Sequence, residues 1–222
     1  MARFLPPDGY VPDPVLHTLP ADTVLWRVHR RDHRPDAFRR ETTDANDPSG
    51  GRFDGTGRHP YAALYVGRQA ATALSELLLR DVPYDRQGFR QIPRAAVRGR
   101  RASVMFTRRE LVLVDLRAEE GLNAVAQDAW LVTADRTDYH LTRHWAGWIR
   151  EHAPKSQGLL WYSRRLLGRE SLVLFGDRCE PLESLVVIDD ERSVDLDDAE
   201  GAEFVNHALA PFKARIDPPG RT

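Results

Sequence analysis

A glycine-rich loop, GGRFDGTG at 50–57, carries Arg52 near its start. Glycine lets a backbone turn tightly or approach a ligand closely, and a guanidinium grips phosphate through two parallel hydrogen bonds. Arg52 is therefore either a phosphate contact or a charge on a long turn. The apolar run YAALYVG (61–67) follows, with Tyr65 closing it, and then QAATALSELLLR (69–80). Glu76 is the only acid from Val66 to Arg80 and sits beside the leucine-rich face of that segment rather than opposite it. It is either a solvated helix residue or a carboxylate aimed into a cleft. Tyr65 is likewise either a core aromatic or part of a cleft wall.

Other chemistries leave no comparable trace. There is no GxxxxGK[ST] phosphate loop, no GxSxG serine elbow, and the glycines at 50–57 do not form GxGxxG. His140 and His144 are four residues apart, as zinc ligands on one helix face are, but the glutamate of HExxH is missing and no third ligand is evident, so no metal is expected. Cys179 is the single cysteine, which rules out an internal disulfide framework and fits a reducing cytoplasm. No apolar run has the length of a signal peptide or a membrane span. Lys plus Arg number 32 and Asp plus Glu 33, a net charge of −1, which argues against a protein built mainly to grip nucleic acid.

The elements that must position these residues follow from periodicity. Residues 1–20 hold five prolines and read as an extended surface arm. TVLWRVHR (23–30) reads as a strand, and 31–60 as a long connection of the kind that is functional or disordered in compact domains. YAALYVG is a short buried strand and QAATALSELLLR an amphipathic helix. ASVMF (102–106) and ELVLVDL (110–116) read as two strands joined by a tight turn at Thr107–Arg109. GLNAVAQDAW (121–130) and TRHWAGWIREHA (142–153) read as helices; Trp145 and Trp148 on the second suit its core face better than an interface. GLLWYS (158–163), SLVLF (171–175) and LESLVVID (182–189) are further strands, and 199–212 a last helix. Strands interspersed with helices, without repeats or linkers, predict one mixed α/β domain over 21–215.

GGRF, ALYVG and ATALSELLLR together resemble the core signature of RES-domain proteins, toxins of bacterial toxin–antitoxin pairs. Tyr65 and Glu76 keep the family's eleven-residue spacing. The stretch from Arg52 to Tyr65 is a few residues longer than usual, so Arg58 competes with Arg52. Ser163 in GLLWYSRR matches the family serine, whereas the contiguous Arg169-Glu170-Ser171 only spells the family's letters. LWRVHR resembles the first family strand and brings in Arg27. The resemblance spans roughly 23–190 and is strongest over 61–80.

That resemblance implies the split β-sheet of ADP-ribosyltransferase toxins with flanking helices, and cleavage of the nicotinamide–ribose bond of NAD as substrate. ADP-ribose then passes to water, inorganic phosphate or a protein. It implies catalytic roles for Arg52, Glu76 and Ser163, dinucleotide contacts from Arg27, Arg52 and Tyr65, and an Xre-like helix-turn-helix antitoxin as partner. From another class, a binding module contacting nucleic acid through RQIPRAAVRGRR (90–101), with five arginines and no acid, remains the alternative.

Overall fold

In the computed structural model, residues 4–40, 44–47, 49–181 and 184–220 are described. Eight strands form one sheet: β1 (Leu16–Leu19), β2 (Val24–Arg30), β3 (Ala63–Gly67), β5 (Arg100–Thr107), β6 (Leu111–Asp115), β7 (Gly158–Tyr162), β8 (Glu170–Phe175) and β9 (Val186–Asp195). Their order across the sheet is β1-β6-β7-β8-β3-β2-β5-β9. Two three-residue strands, β4 (Arg90–Ile92) and β10 (Ala214–Ile216), pair with each other apart from it. Only β6 and β7 run parallel within the large sheet, and the crossover such a pair requires carries helices α2 (Glu119–Asn123), α3 (Trp130–Thr133) and α4 (Tyr139–His152).

Side-chain alternation explains how the sheet folds. Leu172 and Leu174 of β8 point to one face, Val173 and Phe175 to the other, as the two-residue period of a strand requires. The first pair joins Leu25 of β2, Leu64 and Val66 of β3, Met105 of β5 and Leu113 of β6 in a single core. Strands as distant in the order as β6 and β5 share that core because the sheet curls over it. On the outer face of one half, Val173 and Phe175 pack with Trp145, Ala146 and Ile149 of α4. On the other half, Leu74 and Leu78 of α1 (Ala70–Leu78) meet Val205 and Leu209 of α5 (Ala199–Leu209).

The sheet is split beside β3. Toward β8, β3 pairs at five positions, from Ala63↔Phe175 to Gly67↔Ser171. Toward β2 it pairs at one, Trp26↔Gly67, while β2 pairs with β5 over its whole length. The two strands therefore meet at one end and part, which is the split core implied by the family resemblance.

Several sequence readings need correction. The strands around Thr107–Arg109 do not form a hairpin; the chain crosses there from one half of the sheet to the other, because β5 pairs with β2 and β9 and β6 with β1 and β7. The helix expected over 121–130 is broken into α2 and α3. Ala126 takes a left-handed backbone conformation (φ 55°), and the Asp128 carboxylate accepts from the Trp130 N–H at 2.8 Å, starting a new turn. The end of the proline-rich segment forms β1 at the sheet edge. Leu182 and Glu183, at the start of the strand read over 182–189, lie outside the described residues.

Candidate active site

The gap between β2 and β3, roofed by α1, is a cleft of about 420 Å³. Arg27 comes from β2, Tyr65 from the middle of β3, Glu76 from α1 and Arg52 from the glycine loop, and all four line it. Helical spacing divides α1 between two tasks. Leu74 and Leu78 are buried against α5, while Ala73, Glu76 and Leu77 turn to the cleft. The lining also holds Arg39, Arg80 and Arg100, so five arginines surround one carboxylate. The cleft is thus strongly positive with a single negative point, a field that suits a multiply anionic ligand.

Glu76 is held by Ser163. The Ser163 hydroxyl, fully buried, donates to Glu76 Oε1 at 2.6 Å and accepts from the N–H groups of Arg165 and Leu166 at 3.1 and 3.2 Å. Those two N–H groups fix where the oxygen sits, leaving its proton for the carboxylate. Ser163 lies behind Glu76 and orients it, and is not among the lining residues. Ser171, from the triplet set aside in the sequence, does line the cleft, while its neighbour Glu170 is bound to Arg117 and Arg68.

The glycine loop is tied down from below by α4. Arg143, 1% exposed, donates to the carbonyls of Gly51 (3.0 Å), Ala45 (2.5 Å) and Asp47 (2.8 Å), and Thr142 Oγ1 donates to the Arg52 carbonyl at 2.7 Å. A Cβ at Gly50 would collide with the Arg143 guanidinium, and one at Gly51 would stand 2.5 Å from the Tyr65 hydroxyl. These two glycines therefore exist so that the loop can lie flat on Arg143 and Tyr65. Arg52, 5% exposed, donates through Nη2 to the Ala134 carbonyl at 3.2 Å and stacks 5.5 Å from the Tyr139 ring. Arg58, its competitor in the sequence, is exposed and lies outside the cleft.

Tyr65 accepts from the Phe53 N–H at 2.8 Å and packs edge-on to Trp161. Burial, with the Asp54 carboxylate nearby, holds its phenol well above its ordinary pKa, so it stays neutral. Arg27 Nη1 donates to the carbonyls of Pro35 and Ala37, each at 2.6 Å. Burial lowers its pKa to about 10, with Asp36 opposing, which leaves it charged at neutral pH. Four residues of the cleft, Arg52, Thr72, Trp161 and Ser171, carry buried polar atoms (Nε, Oγ1, Nε1 and Oγ) with no hydrogen-bond partner. Buried polar groups are ordinarily paired, so these four leave the cleft wall with hydrogen-bonding capacity that a polar ligand could use.

The RES-domain pattern matches residues 24–197 of the sequence. The chain belongs to the RES-domain family. Among curated proteins none matches it. Its fold is similar to that of a chain in the crystal structure of the M. tuberculosis MbcT–MbcA toxin–antitoxin complex, with TM-score 0.54 and 18% identity over 85% of this chain and 91% of that one.

In this RES domain Arg27, Arg52, Tyr65 and Glu76 line one cleft with Ser163 behind Glu76, and the structure adds others that the sequence reading missed. Tyr139 and Trp161 supply aromatic walls, Arg39, Arg80 and Arg100 supply charge, and Arg143 supplies the loop's anchor. Arg143 had a sequence signal, since it precedes His144 and Trp145 on a helix whose inward face it shares. Among the described residues no group of three or more His, Cys, Asp or Glu side chains stands close enough to hold a metal ion. Among them, too, no helix is long and apolar enough to cross a membrane. Four of the five arginines in 90–101 are engaged within the protein, Arg90 with Tyr84, Arg94 with the Asp197 carbonyl, Arg100 with the Ala96 carbonyl and Arg101 with Asp195.

Proposed function

We propose that this RES domain cleaves the nicotinamide–ribose bond of NAD and acts as the toxin of a toxin–antitoxin pair. The observation that carries the reading is the single carboxylate, Glu76, oriented by Ser163 in a cleft whose other charged lining residues are all arginines. Nicotinamide leaves as a neutral ring from a cationic one, so its departure needs no general acid. The barrier lies in positive charge gathering on the ribose, and a fixed carboxylate beside it lowers that barrier by roughly several kcal/mol, as preorganised charges do.

The other residues fit the rest of the dinucleotide. Arg27 and Arg52 suit the pyrophosphate, and Tyr65 offers a neutral aromatic face to nicotinamide. The C1′–N bond breaks with its electron pair going to nicotinamide while a C1′–O bond forms to the acceptor; a water acceptor loses its proton to solvent. Water and inorganic phosphate are the acceptors we favour, with a protein side chain as the alternative. An enzyme that depletes NAD in the cytoplasm needs a neutraliser, and an Xre-like antitoxin protein covering the cleft fills that role. The toxin–antitoxin complex in which the structural neighbour was solved supports it.

Purified protein incubated with NAD, with and without inorganic phosphate, tests the reading. Loss of NAD that Glu76→Gln abolishes is the expected result, and phosphate dependence names the acceptor. Stable NAD in both buffers with folded wild-type protein rejects free-NAD cleavage; labelled protein bands would then move the reading to protein ADP-ribosylation.

A further inference from the structure

Arg52 sits on backbone that no helix or strand ladder holds. From Gly51 to Asp54 the main chain makes no hydrogen bond to other main chain among the described residues. Side chains hold it instead. Asp54 Oδ2 accepts from the Gly51 N–H at 2.7 Å, and Arg143 donates to the Gly51 carbonyl. The Tyr65 hydroxyl accepts from the Phe53 N–H at 2.8 Å, and the Tyr61 hydroxyl donates to the Phe53 carbonyl at 2.9 Å. The main chain of Arg52 itself has one such bond among the described residues, from Thr142 Oγ1 to its carbonyl at 2.7 Å.

Thr142 lies in α4 with no exposed surface and is not among the residues lining the cleft. Its hydroxyl has one proton and two carbonyls within reach. A helical threonine often bonds back to a carbonyl one turn earlier, and Tyr139 offers that partner at 3.2 Å. The shorter bond leaves the helix for Arg52 instead. Three residues earlier on the same face of α4, the Tyr139 ring stands 5.5 Å from the Arg52 guanidinium, whose Nη2 is bound to the Ala134 carbonyl. Arg52 is thus fixed at its carbonyl by Thr142 and at its guanidinium by Tyr139 and Ala134. Gly50 and Gly51 precede it and would let the unfastened backbone turn.

We infer that Thr142 is a positioning residue for substrate binding, which fixes Arg52 through its carbonyl from behind the cleft wall. It rests on the NAD reading for the identity of the ligand and adds to that reading a residue that touches no substrate. Releasing the Arg52 backbone loosens the hold on the dinucleotide. Glu76, oriented by Ser163 from another element, is left in place, so the chemical step keeps its rate.

The test compares wild-type protein with Thr142→Val, which keeps the side chain's shape without the hydroxyl, and Thr142→Ser, which keeps the hydroxyl. Thr142→Ala stands in for the valine variant should that one not fold. Steady-state kinetics give kcat and KM for NAD, and calorimetric titration with ADP-ribose gives an affinity that requires no turnover. The valine variant should raise KM and weaken ADP-ribose binding about three- to tenfold, the size of one hydrogen bond, with kcat within about twofold. The serine variant should return both to within about twofold of wild type. A valine variant that melts lower but keeps its KM and ADP-ribose affinity makes Thr142 purely structural and overturns the inference. So does a fall in kcat at unchanged KM, or a folded serine variant no better than valine. Wild-type protein that binds ADP-ribose but leaves NAD intact rejects the cleavage reading, and the ADP-ribose affinities of the variants then decide the role of Thr142. Wild-type protein that binds no ADP-ribose overturns that role outright.

Discussion

The two edges of β3 face opposite demands. Against β8 the strand is zipped at five consecutive positions, and the leucines beneath it are fully buried. Against β2 it makes one pair and then parts, leaving Tyr65 and Arg27 on either side of a cleft whose walls hold unpaired polar atoms. A continuous ladder would satisfy the backbone on both sides but leave no room for a ligand between strands. The zipped edge carries stability, and the open edge holds the cleft on a rigid support.

Mutations should separate the two. The largest effect on stability is expected at the zipped edge. Leu174→Ala removes a side chain with no exposed surface and should cost about 2–5 kcal/mol in denaturant unfolding, while the activity per folded molecule is retained. If NAD cleavage fell in proportion to an altered cleft with unfolding unchanged, the division between edges would fail.

Ser163→Ala sits on the other side of the comparison. It removes the donor to Glu76 Oε1 and should lower kcat about 10–100-fold with KM little changed, the size of a hydrogen bond to a charged group. The loss of stability should be smaller, about 1 kcal/mol, because two N–H groups lose their acceptor. A KM effect without a kcat effect would mean that Ser163 binds substrate rather than orients Glu76.

The smallest effect lies in alkaline pH. Tyr61 and Tyr65 both have pKa values raised by burial, with Asp54 adding to each. The unfolded chain therefore loses these phenolic protons first, so the stability they contribute is complete below about pH 10 and declines as pH rises above it. Absorbance at alkaline pH should show two tyrosines that ionise only on unfolding. Their free titration near pH 10 would place them in solvent and undo the account of the cleft wall.

Much of this was legible in the sequence, for identifiable reasons. Strands such as SLVLF and YAALYVG announce themselves because both faces are buried, and the Tyr65–Glu76 spacing follows from a strand running straight into a helix. Three-residue strands such as Arg90–Ile92 carry too few residues to show a period. The false hairpin at Thr107–Arg109 arose because sequence adjacency says nothing about which half of a curled sheet a strand joins. At the cleft, Arg52 and Glu76 stood out by loop composition and by an isolated acid. Tyr139, Arg80 and Arg100 did not, since they reach the site from elements whose facing depends on tertiary packing. Ser163 was found by its place after a strand, but only the structure reveals that it serves Glu76.

The measurement that bears most directly on the central claim is a crystal structure of the Glu76→Gln protein soaked with NAD. The account predicts intact dinucleotide in the gap between β2 and β3, with its nicotinamide ribose within hydrogen-bonding distance of residue 76 and its pyrophosphate against Arg27 and Arg52. Dinucleotide bound elsewhere on the protein, or an empty cleft at saturating NAD, would contradict it.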